Sequence, residues 1–319
     1  MSLDAQTQAL IEQMKQGGFK PASQIPIEES RAGLTQMALA MAAPKEDVFA
    51  TEDRSIPGPA GDVPIRIYRH AERSEGECSA VAVFFHGGGM YLGDLETHDH
   101  VCRYLCNHGR LSVVAVDYRL APENKYPASL EDCYAALCWV ADNGDEIGID
   151  PGQIALVGDS AGGSLVVSCC LLARQRGGPA IAYQVAVYPA LAMTDGEEFP
   201  SRVEMGTGEY FISLEDFAFF RNLYLNDQEK EVRDPLVSPI YADNYRDLPP
   251  ALVIAAGYDP CRDENRHYAD RLAADGVQVI YRCFDHTIHP FFLFDGVIDA
   301  GREGQKLVAD TLREFFAIG

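Results

Sequence analysis

The stretch Val157-Gly158-Asp159-Ser160-Ala161-Gly162-Gly163 decides the fold. It follows the apolar run Ile154 to Val157 and precedes Ser164-Leu165-Val166-Val167, so it predicts a short strand turning into a helix with Ser160 at the corner. A serine between two glycines in that context reads as a nucleophile elbow. An Oγ standing clear of so tight a turn requires strained backbone, and side chains at positions 158 and 162 would collide with the adjoining strand and helix. The helix N-terminus that follows aims free N–H groups and positive dipole at any negative charge developing beside the serine.

Outward from this corner, strands alternate with helices. Strands are expected over 65–68, 81–85, 113–117, 185–188, 251–256 and 277–281, with helices over 97–108, 128–142, 263–274 and 304–316. Such alternation predicts an α/β fold with a mainly parallel central sheet and helices on both faces. Two amphipathic helices, 4–16 and 28–43, precede the first of these strands. Between Pro200 and Asp247 the alternation breaks, and Ser213 with Asp216 reads as a capping box opening a further helix. The division expected is an N-terminal helical cap over 1–50, core over 51–199, a helical cap insertion over 200–248 and core again over 249–319.

An exposed serine needs a base, an acid that orients the base, and donors for an oxyanion. His86-Gly87-Gly88-Gly89 leaves the apolar strand 81–85, and backbone without side chains can bring N–H groups close to a substrate. Gly87 and Gly88 are the candidate donors there, together with Ala161. The strand 251–256 ends in Gly257-Tyr258-Asp259-Pro260, and loops at the carboxyl ends of parallel strands supply catalytic groups, which favours Asp259 as the acid. Asp263 and Glu264 read as the cap and first turn of the next helix, and Asp159 as a local hydrogen-bonding group. Of eight histidines, His289 follows the last strand and completes the order Ser, Asp, His. His286 is its rival in the same loop and reads as a solvent-facing partner of Asp285. His98, His100 and His108 read as solvated.

Composition narrows the class of function. A formal charge of −22 disfavours nucleic acid and anionic membrane surfaces, both of which would repel the chain. Nine cysteines, an odd number scattered through strands and helices, suit a reducing cytoplasm better than a disulfide scaffold. Cys102 and Cys106 lie one helical turn apart, but no second half of a zinc site follows, so no metal is expected. Met1-Ser2-Leu3-Asp4 lacks a basic region leading into an apolar run, and no stretch reaches the roughly 18 apolar residues of a membrane span. The expectation is a soluble cytoplasmic protein.

These segments, with Gly93-Asp94-Leu95, Asp117-Tyr118-Arg119-Leu120-Ala121-Pro122-Glu123, Tyr126-Pro127-Ala128 and Arg262-Asp263-Glu264, resemble the hormone-sensitive-lipase group of α/β-hydrolase esterases, also called bacterial esterase family IV. The resemblance runs through nearly the whole chain. It implies an α/β-hydrolase fold and a carboxylesterase forming an acyl-enzyme, with Ser160 as nucleophile, His289 as base, Asp259 as acid, and Gly87, Gly88 and Ala161 as oxyanion donors. It also implies no cofactor, a small ester as substrate, a structural role for 117–123, and a homodimer. Short to medium acyl chains would suit a lid lined by Met14, Phe19 and Phe217. Pro290 stands where the family has glycine and Met90 where an aromatic residue is common; the first would hold His289 extended, the second would reshape the acyl pocket. An amide or formamide hydrolase with the same residues, and a non-enzymatic small-ligand receptor on the same fold, are the alternative readings.

Overall fold

The computed structural model describes residues 2–18, 20–72, 78–196 and 198–318. Among them eight strands form one sheet: β1 (Ala50–Gly58), β2 (Gly61–Arg69), β3 (Ser79–Phe85), β4 (Ser112–Val116), β5 (Ile149–Asp159), β6 (Tyr183–Val187), β7 (Ala251–Tyr258) and β8 (Val279–Ile288). Their spatial order is β1-β2-β4-β3-β5-β6-β7-β8. β2 runs antiparallel to both neighbours, and every pairing from β4 across to β8 is parallel. This is the α/β-hydrolase fold.

The helices in chain order are α1 (Ala5–Gln16), α2 (Ile27–Met41), α3 (Asp99–Gly109), α4 (Ala128–Asp142), α5 (Gly144–Ile147), α6 (Ala161–Arg176), α7 (Pro200–Met205), α8 (Leu214–Tyr224), α9 (Gln228–Glu231), α10 (Arg262–Ala274) and α11 (Asp299–Phe315). The period-two alternation of β3 sorts it between two cores. Val81, Val83 and Phe85 face Leu130 and Leu137 of α4 and Leu165 of α6, while Ala82 and Phe84 face Leu105 of α3 and Leu312 of α11. With both faces covered, the inner strands need apolar residues at successive positions, and these read as unbroken runs. Each such side chain, fully buried, contributes about 1.5–3 kcal/mol.

The sheet edges are less legible. β1 carries Thr51, Glu52, Asp53 and Arg54 and buries only Ile56, so no apolar run marks it. β8 continues seven residues past 281, through Arg282, Asp285 and His286, to Ile288. Both are edge strands, where charged residues guard unpaired backbone.

The helices outside the alternation are tied to the core by polar contacts. Asp4 caps α1 by accepting from the Thr7 N–H at 2.8 Å; the Asp4 N–H donates to the His286 carbonyl at 2.9 Å, and the Thr7 and Thr287 hydroxyls meet at 3.1 Å. Arg31 of α2 donates from Nε to the Tyr91 carbonyl and from Nη2 to the Ala121 carbonyl, both at 2.9 Å, and forks onto Glu123. Ser213 and Asp216 form the capping box of α8, and Asp216 also accepts from the Ala22 N–H at 2.8 Å. Arg202 of α7, fully buried, pairs with Glu264 of α10 at 2.8 Å; Glu264 thus sits in the first helical turn as expected but acts as a buried counter-ion. No helix among the described residues is long and apolar enough to cross a membrane.

Candidate active site

Ser160 stands between β5 and α6 with φ 53° and ψ −120°, a conformation costing about 1–3 kcal/mol for a residue with a side chain. The surrounding backbone enforces it. A Cβ on Gly162 would lie 1.9 Å from the Phe85 carbonyl oxygen, and one on Gly158 would lie 2.5 Å from the Gly162 carbonyl carbon. The Ser160 N–H donates to the Val187 carbonyl at 2.8 Å, locking the corner to β6.

His289 immediately follows β8, and its Nε2 lies 2.8 Å from Ser160 Oγ. Its Nδ1 lies 2.9 Å from Asp259 Oδ2. Asp259 is fully buried beyond the end of β7, and its second oxygen accepts from the Cys261 N–H at 2.8 Å. A carboxylate at Nδ1 holds the proton on that nitrogen and leaves Nε2 to accept from the serine hydroxyl. The Tyr188 ring packs 4.3 Å from the imidazole, and the buried Phe291, Phe292 and Phe294 anchor the loop behind it. The His289–Pro290 peptide bond is cis.

The glycine loop departs from expectation at one position. The Gly87 N–H donates to Asp159 Oδ1 at 2.9 Å, so this amide is committed within the protein and does not serve an oxyanion. Gly88 and Gly89, at φ 131° and 59°, and Ala161 at the start of α6 have no backbone or side-chain acceptor for their N–H groups among the described residues. Gly89 therefore replaces Gly87 as a candidate donor. Its own sequence could not reveal this, because three successive glycines look alike until the partner of each amide is known.

Asp159 holds this loop. Oδ1 also lies 3.1 Å from His98 Nε2, and the Tyr188 hydroxyl approaches Oδ2 at 3.4 Å. Burial would raise the Asp159 carboxyl, but the His98 ring and the Gly87 amide outweigh it and hold it below its ordinary value. His98 and His100 are buried, not solvated, because the helical face carrying them turns toward the sheet and the loop after β8. Of the three histidines expected to be solvated, only His108 has a half-exposed side chain. His86 at the head of the loop is pushed down to about 4 by burial, stacks on Tyr118 at 4.2 Å, and receives the Tyr118 hydroxyl on its carbonyl at 2.7 Å. His286 makes no ion pair with Asp285; its Nδ1 lies 2.7 Å from the Ser2 carbonyl.

Ser160, His289 and the glycine loop open into a cavity of about 340 Å³, walled above by α2 and α8 and by Phe211 and Ile212. Leu34, Met37 and Phe220 line it, whereas Met14 and Phe217 pack elsewhere; Phe19 lies outside the described residues. Met90 is buried in the core instead of shaping the cavity, and the neighbouring Tyr91 reaches the wall. No group of three His, Cys, Asp or Glu among the described residues is placed to hold a metal ion.

Comparison with known proteins agrees with this architecture. A family model described as alpha/beta hydrolase fold matches residues 82–293. The carboxylic ester hydrolase LipN of Mycobacterium tuberculosis (strain ATCC 25618 / H37Rv) is 42% identical over 270 residues, covering 83% of this chain and 70% of that protein. The arylesterase of Saccharolobus solfataricus is 34% identical over 319 residues, covering 99% and 100%. A hyperthermophilic esterase from the archaeon Pyrobaculum calidifontis superposes with a TM-score of 0.91 at 39% identity over 100% of both chains.

Proposed function

Because the chain belongs to the alpha/beta hydrolase family, we propose that it is a serine carboxylesterase acting on small esters of short to medium acyl chains. The observation that carries this reading is the continuous relay from Ser160 Oγ through the His289 ring to Asp259, with links of 2.8 and 2.9 Å. Ser160 Oγ attacks the ester carbonyl while Nε2 of His289 takes its proton. Asp259 keeps the ring in the right tautomer and stabilises the imidazolium. The carbonyl oxygen gains its charge beside the N–H groups of Gly88, Gly89 and Ala161, whose direction is fixed before reaction, so little reorganisation is needed. Collapse expels the alcohol, which receives the proton from His289. Water, deprotonated by the same nitrogen, then attacks the acyl carbonyl; the bond to Ser160 Oγ breaks, Oγ takes the proton back from His289, and the acid leaves.

The two cap segments, 1–50 and 200–248, supply the cavity roof. Nine free thiols fit a reducing compartment, the cytoplasm, and the resemblance favours a homodimer. The same relay would cleave an amide or formamide by the same steps; the ester is favoured by similarity to a carboxylic ester hydrolase and an arylesterase. The receptor alternative is disfavoured by the assembled Ser160–His289 contact. Ser160→Ala decides the matter: kcat on p-nitrophenyl esters should fall by about 10⁴-fold or more with the fold intact, and an organophosphate should label Ser160 alone by mass spectrometry. Turnover retained by the alanine variant would sink the proposal.

A further inference from the structure

Helix α2 carries a glycine that neither its backbone nor its packing requires. Gly33 lies in the helix interior, outside the left-handed region. A Cβ added there would meet nothing within 4 Å, in contrast to the 1.9 Å clash at Gly162. Glycine destabilises a helix interior relative to alanine, so its presence has no local structural reason. Its surroundings supply another. Gly33, itself exposed, lines the cavity over Ser160, along with Glu29, Ser30, Leu34 and Met37 of the same helix. That spacing places the five on one helical face, with Gly33 between Glu29 and Met37. The opposite wall carries Phe211, Ile212 and Phe220, with Asp216 among them, its carboxylate occupied by the Ala22 and Ser213 N–H groups.

We propose that Gly33 sets the length of apolar chain the site accepts: the bare backbone of α2 leaves a channel toward α8 through which the distal end of a linear alkyl chain runs. The inference rests on the esterase reading for its chemistry, and a long acyl chain or a long alkoxy chain would each fill the channel. Each methylene placed there leaves water for an apolar wall. A side chain at position 33 occupies the same volume, so length discrimination must change while the reacting centre stays in place.

The test compares wild type with Gly33→Ala and Gly33→Leu on p-nitrophenyl acetate against p-nitrophenyl octanoate, and on ethyl acetate against octyl acetate. Calorimetric binding of 2-decanone, which is not hydrolysed, supplies a readout independent of turnover. Gly33→Leu should lower the long-to-short ratio of kcat/KM by about tenfold or more, weaken 2-decanone to a similar degree, and act more strongly than Gly33→Ala. A shift in the p-nitrophenyl series alone assigns the channel to the acyl chain; a shift in the alkyl acetates alone assigns it to the alcohol. Gly33→Ala should melt no lower than wild type, which separates channel closure from damage to the helix. Unchanged ratios in both series with unchanged 2-decanone binding would overturn the proposal. Gly33-dependent binding of 2-decanone by a wild type that cleaves no ester would instead overturn the esterase reading and leave the channel standing.

Discussion

At the scale of single residues, His289 and His286 separate chemistry from anchoring. His289→Ala should cost about 10³-fold or more in kcat/KM, because the ring faces Ser160, whereas His286→Ala should cost less than about tenfold. The reverse ranking in steady-state kinetics would reject the relay described above. Asp117 offers a pH test. Burial, with Asp94 nearby, pushes its carboxyl up to about 6, so the folded state binds this proton more tightly than the unfolded chain. Stability is therefore lost as pH rises from about 4 to 6, and the full cost persists above that window. Asp117→Asn should raise unfolding free energy at pH 7 by about 1–3 kcal/mol, with the gain vanishing near pH 4. Denaturant titrations at the two pH values check this. Ser160 and Asp259 could be read from the chain because each follows a recognisable strand, and His289 because it completes the order Ser, Asp, His, although the end of β8 just before it carries no apolar run. His98 and His100 could not, since which face of α3 turns inward depends on the sheet it meets.

At the scale of elements, a helix whose neighbours in sequence pack beside it is legible, and one held by remote partners is not. α4 occupies the expected span, Ala128–Asp142, because its apolar stripe meets the sheet directly. β1 is not among the strands the sequence predicts, as its one buried residue, Ile56, leaves no pattern. The attachment of α2 depends on Arg31, whose acceptors lie 60, 90 and 92 residues away, a distance no local pattern reports. Arg31→Ala should free α2 from the loop bearing Tyr91, raise KM by about three- to tenfold with a smaller change in kcat, and speed hydrogen exchange along α2. Unaltered exchange there would show that Arg31 does not hold the helix.

For the whole molecule, charge and topology dominate. With a net −22, self-repulsion disfavours the compact state, while exposed ion pairs are worth only about 0–1 kcal/mol each. Moderate sodium chloride should therefore raise the melting temperature; a steady fall across the same range would show that surface pairs outweigh the repulsion. The sheet order places β5 at the centre and β8 at an edge, and Thr7 touches Thr287 across 280 positions of sequence. Synthesis runs in the other direction from this arrangement. A growing chain can finish the Ser160 corner long before the ribosome has made β8, and α1 must wait beside it for Thr287 and the His286 carbonyl. The nucleophile is thus born without its base, and a nascent chain halted before residue 289 can carry the strained serine but no catalytic imidazole.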